Sequence, residues 1–309
     1  MRSSLCTEAQ LQSDPFVAWA ELIRPAWDLE HSGVRVGTHR KLWEWLFIIE
    51  ALHERDMLRP GRRGLGFGVG QDPLSAFFAS RGCEIVATDL DVEQAIAGGW
   101  AQTGQYAGQL AQLNDVGLCD PATFEERVSF RVVDMNDIPA DLRGFDFVWS
   151  ACAFEHLGSL AKGAAFVTNA MRCVRPGGVG VHTTEYNVGS NRRTIADGPT
   201  VLYRRRDIDR LVRALRRHGN RVEPVDFDPG AAPADLHVDV PPWSGVHLKL
   251  EIEKYVATSI ALVVEKGEDR RTFAVPVGAR EQWDRIEQSL YARLARSPRF
   301  MNLVERKPA

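Results

Sequence analysis

The sequence predicts an α/β fold, with a Rossmann-like sheet of seven mainly parallel strands, an antiparallel hairpin at one edge, and helical additions at both termini. Three observations predict it. Short apolar segments alternate with amphipathic helices, a glycine-rich loop follows the first of these segments, and no helix separates the last two. Strands that alternate with helices form parallel sheets, whereas strands joined without a crossover helix pair antiparallel.

The elements follow in chain order. Residues 36–58 repeat apolar side chains at helical spacing, which predicts a helix leading into the sheet. The middle of the chain then predicts strand 63–69, helix 73–80, strand 84–88, a helix from about 92, strands 128–133 and 145–149, helix 159–174, strand 178–183 and helix 207–218. The late elements are the two hairpin strands, 221–227 and 258–265, and a helix over 280–296.

Composition indicates one large domain with additions. A chain of 309 residues that is 44% hydrophobic can bury a substantial core without crosslinks. We expect a helical cap at 1–60, the main domain at 61–267 with a substrate-side insertion near 228–256, and a strand and helix extension at 268–309. Five cysteines, an odd number without paired spacing, favour reduced structural thiols over disulfides or a zinc cluster.

Charge and hydropathy disfavour two classes of partner. The net charge is −3, from 38 Lys and Arg against 41 Asp and Glu, and it includes no basic patch of the kind that binds nucleic acid. The N-terminus lacks the apolar run of a signal peptide, and no later segment is apolar enough for membrane insertion. A cytoplasmic location is therefore expected.

The first candidate site is the glycine loop. Gly66, Gly68 and Gly70 alternate just after an apolar strand, and Pro73 opens the next helix. A loop without Cβ atoms lets backbone approach a ligand closely. Asp89 ends the next strand about 20 residues later, where a carboxylate can accept the hydroxyl hydrogens of an adenosine ribose.

Two further strand ends point to the same crevice. Asp134 and Met135 follow the third strand, and Glu155 and His156 follow the fourth. Open α/β sheets bind ligands outside the carboxyl ends of their strands. Asp134 is suited to accept the amino group of adenine, and Met135 to cover its ring.

The series GFGVG, ATDLD, VVDMND, SACAFEHLG and VRPGG resembles class I S-adenosylmethionine-dependent methyltransferases over roughly residues 63–188. The resemblance implies S-adenosylmethionine as cofactor and S-adenosylhomocysteine as product. It also implies that the glycine loop lies along the methionine moiety. The cofactor-binding set that we predict is Gly66, Gly68, Gly70, Asp89, Leu90, Asp134, Met135 and Ser150. Such enzymes carry an acid where this chain has Gly66, and contacts to the cofactor's amino group must then come from elsewhere or be weaker.

A dehydrogenase is the alternative on the same fold. Nicotinamide-dependent enzymes need a third glycine in the first loop, to pack helix against strand. Asp72 and Pro73 stand at that place. The sequence therefore favours methyl transfer.

Catalysis requires removal of a proton when the nucleophile is a hydroxyl. His156 is the predicted general base, because it follows the fourth strand at the rim of the crevice and its usual pKa suits the task. Glu155 orients it or binds substrate, and Glu185, near the end of the fifth strand, is a substrate or metal carboxylate. A divalent ion among His156, His182, Glu185 and Asp134 is an alternative that the spacing does not establish, and we predict no metal site.

The identity of the methyl acceptor is predicted from the segments that the chain adds around the cofactor-binding core. Candidates to cover the crevice are His39, Arg40, Trp43 and Trp45, the segment 99–110 and the segment 239–250. Trp243 and Tyr255 offer flat apolar faces, and Asn187, Ser190, Asn191 and Arg192 offer polar edges. Aromatic faces beside polar groups suit carbohydrate rings, and the chain is similar to bacterial methyltransferases associated with polysaccharide or glycan assembly. A sugar hydroxyl is the first expectation. A natural product and a non-catalytic methyltransferase-like subunit are the alternatives. The C-terminal helix either docks on the domain or builds a homodimer.

Overall fold

The computed structural model describes residues 1–30, 38–91, 93, 109–243 and 245–267. They belong to one compact unit, Met1–Glu268. Three predictions lie outside the described residues: the helix from about 92, nearly all of the segment 99–110, and the C-terminal extension with its helix. Within the described ranges, no helix has both the length and the apolar character needed to cross a membrane.

The described residues contain eight strands and eight α-helices. The strands are β1 Ser4–Leu5, β2 Arg63–Phe67, β3 Glu84–Asp89, β4 Val128–Val132, β5 Phe145–Ala151, β6 Val174–Asn187, β7 Leu250–Ile252 and β8 Tyr255–Glu265. The helices are α1 Glu8–Leu11, α2 Asp14–Glu30, α3 Arg40–His53, α4 Leu74–Ser80, α5 Pro121–Arg127, α6 Leu160–Ala170, α7 Arg205–Arg217 and α8 Pro233–Leu236. Short 3-10 helices lie at Leu110–Asn114 and Phe154–His156.

All of these strands form one sheet, in the order β1-β8-β6-β5-β2-β3-β4, with β7 paired to β8. The neighbours from β6 to β4 are parallel, and β8 is antiparallel to β6, β7 and β1. The predicted fold class, a mainly parallel Rossmann-like sheet with an antiparallel edge, is confirmed, with eight strands in place of seven. The carboxyl ends of β2 to β6 meet at one edge, where parallel sheets bind ligands.

The predicted strand 221–227 is wrong. Only isolated bridges occur there, Arg221 with Glu265 and Asp226 with Ser4, and β1 takes the place beside β8. Pro224 lies in the middle of this segment and has no N–H for a ladder. The edge hairpin is formed by β7 and β8.

Several other boundaries differ from the prediction. The helix expected over 159–174 ends at Ala170, and β6 begins at Val174, four residues before the predicted strand. Helix α3 begins at Arg40, because the His39 ring nitrogen Nδ1 accepts a hydrogen bond from Lys41 N at 3.1 Å and caps the first turn.

The core has two layers, one on each face of the sheet. Helices α2, α3 and α4 pack on one face, and α6 and α7 pack on the other. The predicted inward face of α7 is buried, at Ile208, Leu211, Val212 and Leu215. Trp43 and Trp45 are at most 1% exposed, so the expectation that they cover the crevice is wrong. Their indole rings are core side chains of α3.

Candidate active site

The glycine loop after β2 contacts the loops that follow β4 and β5. Gly68 and Gly70 have φ angles of 57° and 52°, a region in which glycine is favoured. A Cβ on Gly68 would lie 2.9 Å from Ala153 Cβ and 3.1 Å from Met135 Sδ. Any side chain at Gly68 would fill this junction. The contact of these glycines with a cofactor stays a prediction.

Gly66 has a packing role. It lies inside β2, where a Cβ would be 2.4 Å from Trp149 Cζ2 and 2.5 Å from Val69 Cγ1. Trp149 is fully buried on β5. A side chain at position 66 would overlap the indole ring of Trp149, so the packing of β2 against β5 accounts for glycine at this position.

Asp89 fixes the glycine loop. It is the last residue of β3 and is 8% exposed, and its two carboxylate oxygens accept hydrogen bonds from Gly70 N at 2.9 Å and Leu90 N at 2.8 Å. The structure therefore brings Gly70, Asp89 and Leu90 together, as predicted. A carboxylate oxygen has lone pairs for a second donor, so Asp89 can also accept a ribose hydroxyl.

Asp134 and Met135 follow β4 at the same edge. Asp134 is half-buried, and its Oδ1 accepts a hydrogen bond from Asn136 N at 2.7 Å, which shapes the turn. Met135 is 6% exposed and borders Gly68. Both stand where an adenine ring would meet the loop, and their contact with the cofactor stays a prediction.

Ser150 has a different environment from the other predicted residues. Its hydroxyl lies 2.9 Å from Nδ1 of His182, and both residues are fully buried between strands β5 and β6. Burial lowers the pKa of His182 to about 3, so this ring is neutral. The Ser150 side chain is engaged within the sheet, and its cofactor contact stays a prediction.

Glu155 and His156 lie together in the 3-10 helix Phe154–His156. Glu155 is fully buried, its Oε2 accepts a hydrogen bond from the Thr184 hydroxyl at 3.0 Å, and its Oε1 lies 3.9 Å from His156 Nε2. His156 Nδ1 lies 2.8 Å from the carbonyl oxygen of Pro199, which can only accept, so the proton is on Nδ1. Nε2 therefore carries the lone pair, and burial lowers the pKa of the ring.

The third predicted catalytic residue, Glu185, is joined to helix α3. Its Oε1 lies 2.5 Å from Arg40 Nη2, while Arg40 Nη1 lies 3.2 Å from Glu44 Oε1. Lys41 Nζ lies 3.0 Å from the other oxygen of Glu44. Lys41 and Glu44 are not among the residues predicted from the sequence. A carboxylate between two tryptophans within the apolar run of α3, as in WEW, was the available signal.

The three buried carboxylates differ in charge state. Burial raises the pKa of Glu155 and of Glu185 to about 7. Burial also acts to raise the pKa of Glu44, but Lys41 and Arg40 outweigh it and lower that pKa. Glu155 and Glu185 therefore gain or lose their protons near neutral pH, whereas Glu44 stays ionised.

Cys152 lies beside Glu155 and Glu185 and is a free thiol. Its φ is 48°, and its backbone N–H donates to the Thr183 hydroxyl at 3.0 Å. Its Sγ and one carboxylate oxygen each of Glu155 and Glu185 lie within 4.8 Å of one another. Among the described residues this is the one group with the ligand types for a metal, and it contains none of His156, His182 and Asp134.

The candidate acceptor residues serve mainly the protein itself. Asn187 Oδ1 accepts from Ser190 N at 3.0 Å, and Asn191 Oδ1 accepts from Arg206 N at 2.9 Å. The Ser190 hydroxyl accepts from Arg192 N at 3.1 Å. These side chains shape the turn after β6. Trp243, in contrast, is 48% exposed.

Comparison with known proteins supports the assignment of the domain. Residues 65–181 match the family model of a methyltransferase domain. The predictions of an S-adenosylmethionine-dependent methyltransferase and of that cofactor are confirmed by this match, which runs from β2 to the middle of β6. No curated protein matches the chain significantly.

Solved structures match at low identity. A Burkholderia thailandensis 1,6-didemethyltoxoflavin-N1-methyltransferase, with S-adenosylhomocysteine bound, is 16% identical over 83% of this chain and 92% of its own, with a TM-score of 0.44. A TehB-like methyltransferase from Corynebacterium glutamicum is 15% identical over 81% and 99%, with a TM-score of 0.39. A Galdieria sulphuraria protein described as a sarcosine dimethylglycine methyltransferase is 19% identical over 46% of either chain, with a TM-score of 0.34.

Proposed function

We propose that this chain transfers the methyl group of S-adenosylmethionine to a hydroxyl of a small polar acceptor, with a sugar hydroxyl as the first choice. One observation carries the proposal. Gly68 in the cofactor loop meets Ala153, and Ala153 directly precedes the 3-10 helix that carries Glu155 and His156. The glycine loop that would bind the cofactor and the candidate base, His156, are therefore neighbours.

The residues present fit the cofactor. The cradle at Gly68 is one that a Cβ would fill, Gly70 shares the positive φ of this loop, and Asp89 offers a carboxylate at the end of β3. Asp134 and Met135 would hold the adenine. When bound, S-adenosylmethionine supplies an electrophilic methyl group. The chain contributes alignment of that group with the acceptor, which by itself accounts for much of the rate of such transfers.

His156 is the proposed base. Its Nε2 carries the lone pair because the Pro199 carbonyl holds the proton on Nδ1. An acceptor hydroxyl that donates to Nε2 would lose its proton to the ring as the methyl group arrives. The Glu155 carboxylate, 3.9 Å from Nε2, would stabilise the resulting imidazolium.

Two alternatives are a natural-product acceptor and a non-catalytic methyltransferase-like subunit, and they require different features of the chain. A natural-product acceptor would use the same base and differ in the covering residues. A non-catalytic subunit was considered because Gly66 replaces an acid, but the contact of Gly66 with Trp149 provides a packing reason for that replacement. The buried polar group around Glu155 favours the catalytic alternative, because unsatisfied buried carboxylates are costly without a function.

The test is formation of S-adenosylhomocysteine with a panel of sugars and polyols. We expect the variant His156→Ala to lower kcat/KM by about 10²- to 10⁴-fold, as loss of a general base does, with S-adenosylhomocysteine affinity unchanged within about threefold. His218→Ala, outside the site, is the matched control. Equal turnover by His156→Ala and wild type would refute the assignment of the base. Absence of cofactor binding by folded protein would refute the proposed function.

A further inference from the structure

We infer that Cys152, Glu155 and Glu185 form a pocket for a primary ammonium group, and that the acceptor is therefore a hydroxylated primary amine, such as an amino sugar or amino alcohol. The inference rests on the proposed function for the methylated atom. The ammonium group would anchor the acceptor. Its nitrogen has no lone pair while protonated, so the nucleophile is a hydroxyl of the same molecule next to His156.

The buried charge group contains three carboxylates and two cations, so one carboxylate has no cation of its own. Its charged members are Arg40, Lys41, Glu44, Glu155 and Glu185. Lys41 pairs with Glu44, and Arg40 is shared between Glu44 and Glu185. Glu155 has the Thr184 hydroxyl on Oε2 and His156 Nε2 at 3.9 Å from Oε1. With all groups ionised, three buried carboxylates face two cations, and a single positive charge would balance the group.

Two buried carboxylate oxygens also lack hydrogen-bond donors. Within the described part of the chain, no donor reaches Glu155 Oε1 or Glu185 Oε2. Glu155 is fully buried and Glu185 is 5% exposed. A buried acceptor that is left unsatisfied costs free energy, so these oxygens indicate a donor that the chain itself does not supply.

The spacing of the three residues fits an ammonium group. Three hydrogen bonds of about 2.9 Å, spread tetrahedrally from one nitrogen, place their acceptors about 4.7 Å apart. The Cys152, Glu155 and Glu185 atoms lie within 4.8 Å of one another. A primary ammonium has three donors, two for the carboxylates and one for the weakly accepting sulfur.

Neighbouring cations argue against a divalent ion in the same place. Arg40 Nη2 is 2.5 Å from Glu185 and Arg40 Nη1 is 3.9 Å from Cys152 Sγ, so a dication would lie against a guanidinium. A monovalent ammonium group balances the charge, and its repulsion with the Arg40 guanidinium is half that of a divalent ion. A neutral diol would satisfy the two oxygens and leave the excess charge unbalanced. His156, whose Nε2 lies 3.9 Å from Glu155 Oε1, has a side chain that is 23% exposed.

The experiment compares two probes that differ in one group. Ethanolamine and ethylene glycol are titrated at pH 8 into the full chain with S-adenosylhomocysteine present, and the carboxyl carbons of isotope-labelled glutamate are followed by NMR. Ethanolamine is expected to bind at least tenfold more tightly and to shift the Glu155 and Glu185 signals. Glu155→Gln should abolish this preference, whereas Glu50→Gln, a buried carboxylate outside the group, should retain it.

The outcomes separate the pocket from the proposed function. Equal affinity for the two probes, or an ethanolamine preference that survives Glu155→Gln, overturns the ammonium pocket while S-adenosylhomocysteine binding still supports methyl transfer. If S-adenosylhomocysteine does not bind, the proposed function fails, and the same titration on the chain alone still decides the pocket. Zinc chloride in place of ethanolamine tests the metal: a zinc-induced shift with no response to ethanolamine also overturns the proposal.

Discussion

Asp89 is the predicted acceptor of the cofactor's ribose hydroxyls, and its carboxylate also holds the glycine loop. Asp89→Ala removes the acceptor of Gly70 N and Leu90 N, so we expect at least a tenfold loss of S-adenosylhomocysteine affinity and a loss of about 1–3 kcal/mol in unfolding free energy. Calorimetry and chemical denaturation measure the two effects. Asp141→Asn, an exposed partner of Arg131, is the control and should change neither much. Unchanged affinity in Asp89→Ala would remove Asp89 from the cofactor site.

Glu155 and Glu185 give stability a specific pH dependence. Their pKa values are raised to about 7, so the folded chain binds these protons more tightly than the unfolded chain, whose usual value is 4.5. Their contribution to stability is complete below about pH 4.5 and is lost as the pH rises to about 7. We expect Glu155→Gln to flatten this decline and to be more stable than wild type at pH 8.

The measurement is the free energy of unfolding from urea titrations between pH 4.5 and pH 8. The His156 pKa is lowered, so His156 acts in the opposite direction, and the comparison of variant with wild type isolates the carboxyl contribution. Glu223→Gln, an exposed carboxylate, is the control and should follow wild type. A variant curve parallel to that of wild type would contradict the raised pKa of Glu155.

At the scale of elements, the packing of β2 beside β5 requires a very small residue, Gly66, next to a very large one, Trp149. A Cβ on Gly66 would overlap Trp149 Cζ2 at 2.4 Å, so Gly66→Ala should cost about 2–3 kcal/mol in unfolding free energy. The double variant Gly66→Ala, Trp149→Leu should lose less unfolding free energy than the two single variants lose together, by about 1 kcal/mol or more. Denaturation of the four proteins measures this coupling.

Gly189→Ala provides the matched control for that cycle, because its Cβ would meet no atom closer than 3.7 Å. We expect it to be nearly neutral alone and additive with Trp149→Leu. Strict additivity of Gly66→Ala with Trp149→Leu would mean that the indole ring does not dictate glycine at position 66.

At the scale of the whole molecule, the N-terminal residues close the sheet. Leu5 N donates to Asp226 O at 3.2 Å, Cys6 N donates to Ser259 O at 2.9 Å and Val263 N donates to the Ser3 hydroxyl at 2.9 Å. Removal of residues 1–6 should therefore expose the edge of β8, lower the melting temperature by several degrees, and accelerate hydrogen exchange of the amides in β8.

The amides of β3 and β4, at the opposite edge of the sheet, serve as the internal control and should gain little exchange. If β8 keeps its protection without residues 1–6, then β1 adds nothing to the sheet, and β8 must be covered by other contacts. Parallel pairs from β2 to β6 do not involve these residues, so the cofactor edge should survive the deletion.

The sequence alone determined the parallel sheet and the edge at which the predicted cofactor residues meet. Apolar segments alternating with helices indicated β2 to β6, and the polar residues directly after those strands had to meet at one edge, because parallel strands end together. Gly68, Gly70, Asp89 and Asp134 could therefore be predicted from local pattern. Helix α2, with Pro25 inside it, and the two-residue β1 were missed, because a proline and so short a strand carry little local signal.

Only the tertiary structure decided the buried charge group and the edge of the sheet. Arg40, Lys41 and Glu44 lie more than 100 residues before Glu155 and Glu185, and no periodicity links them; their contact exists because α3 packs across β6 and β8. Likewise β1 replaces the expected strand at 221–227 because Pro224 cannot complete a ladder. Local patterns specify which residues form each element, whereas the charge state of Glu155 depends on burial, a property of the assembled chain.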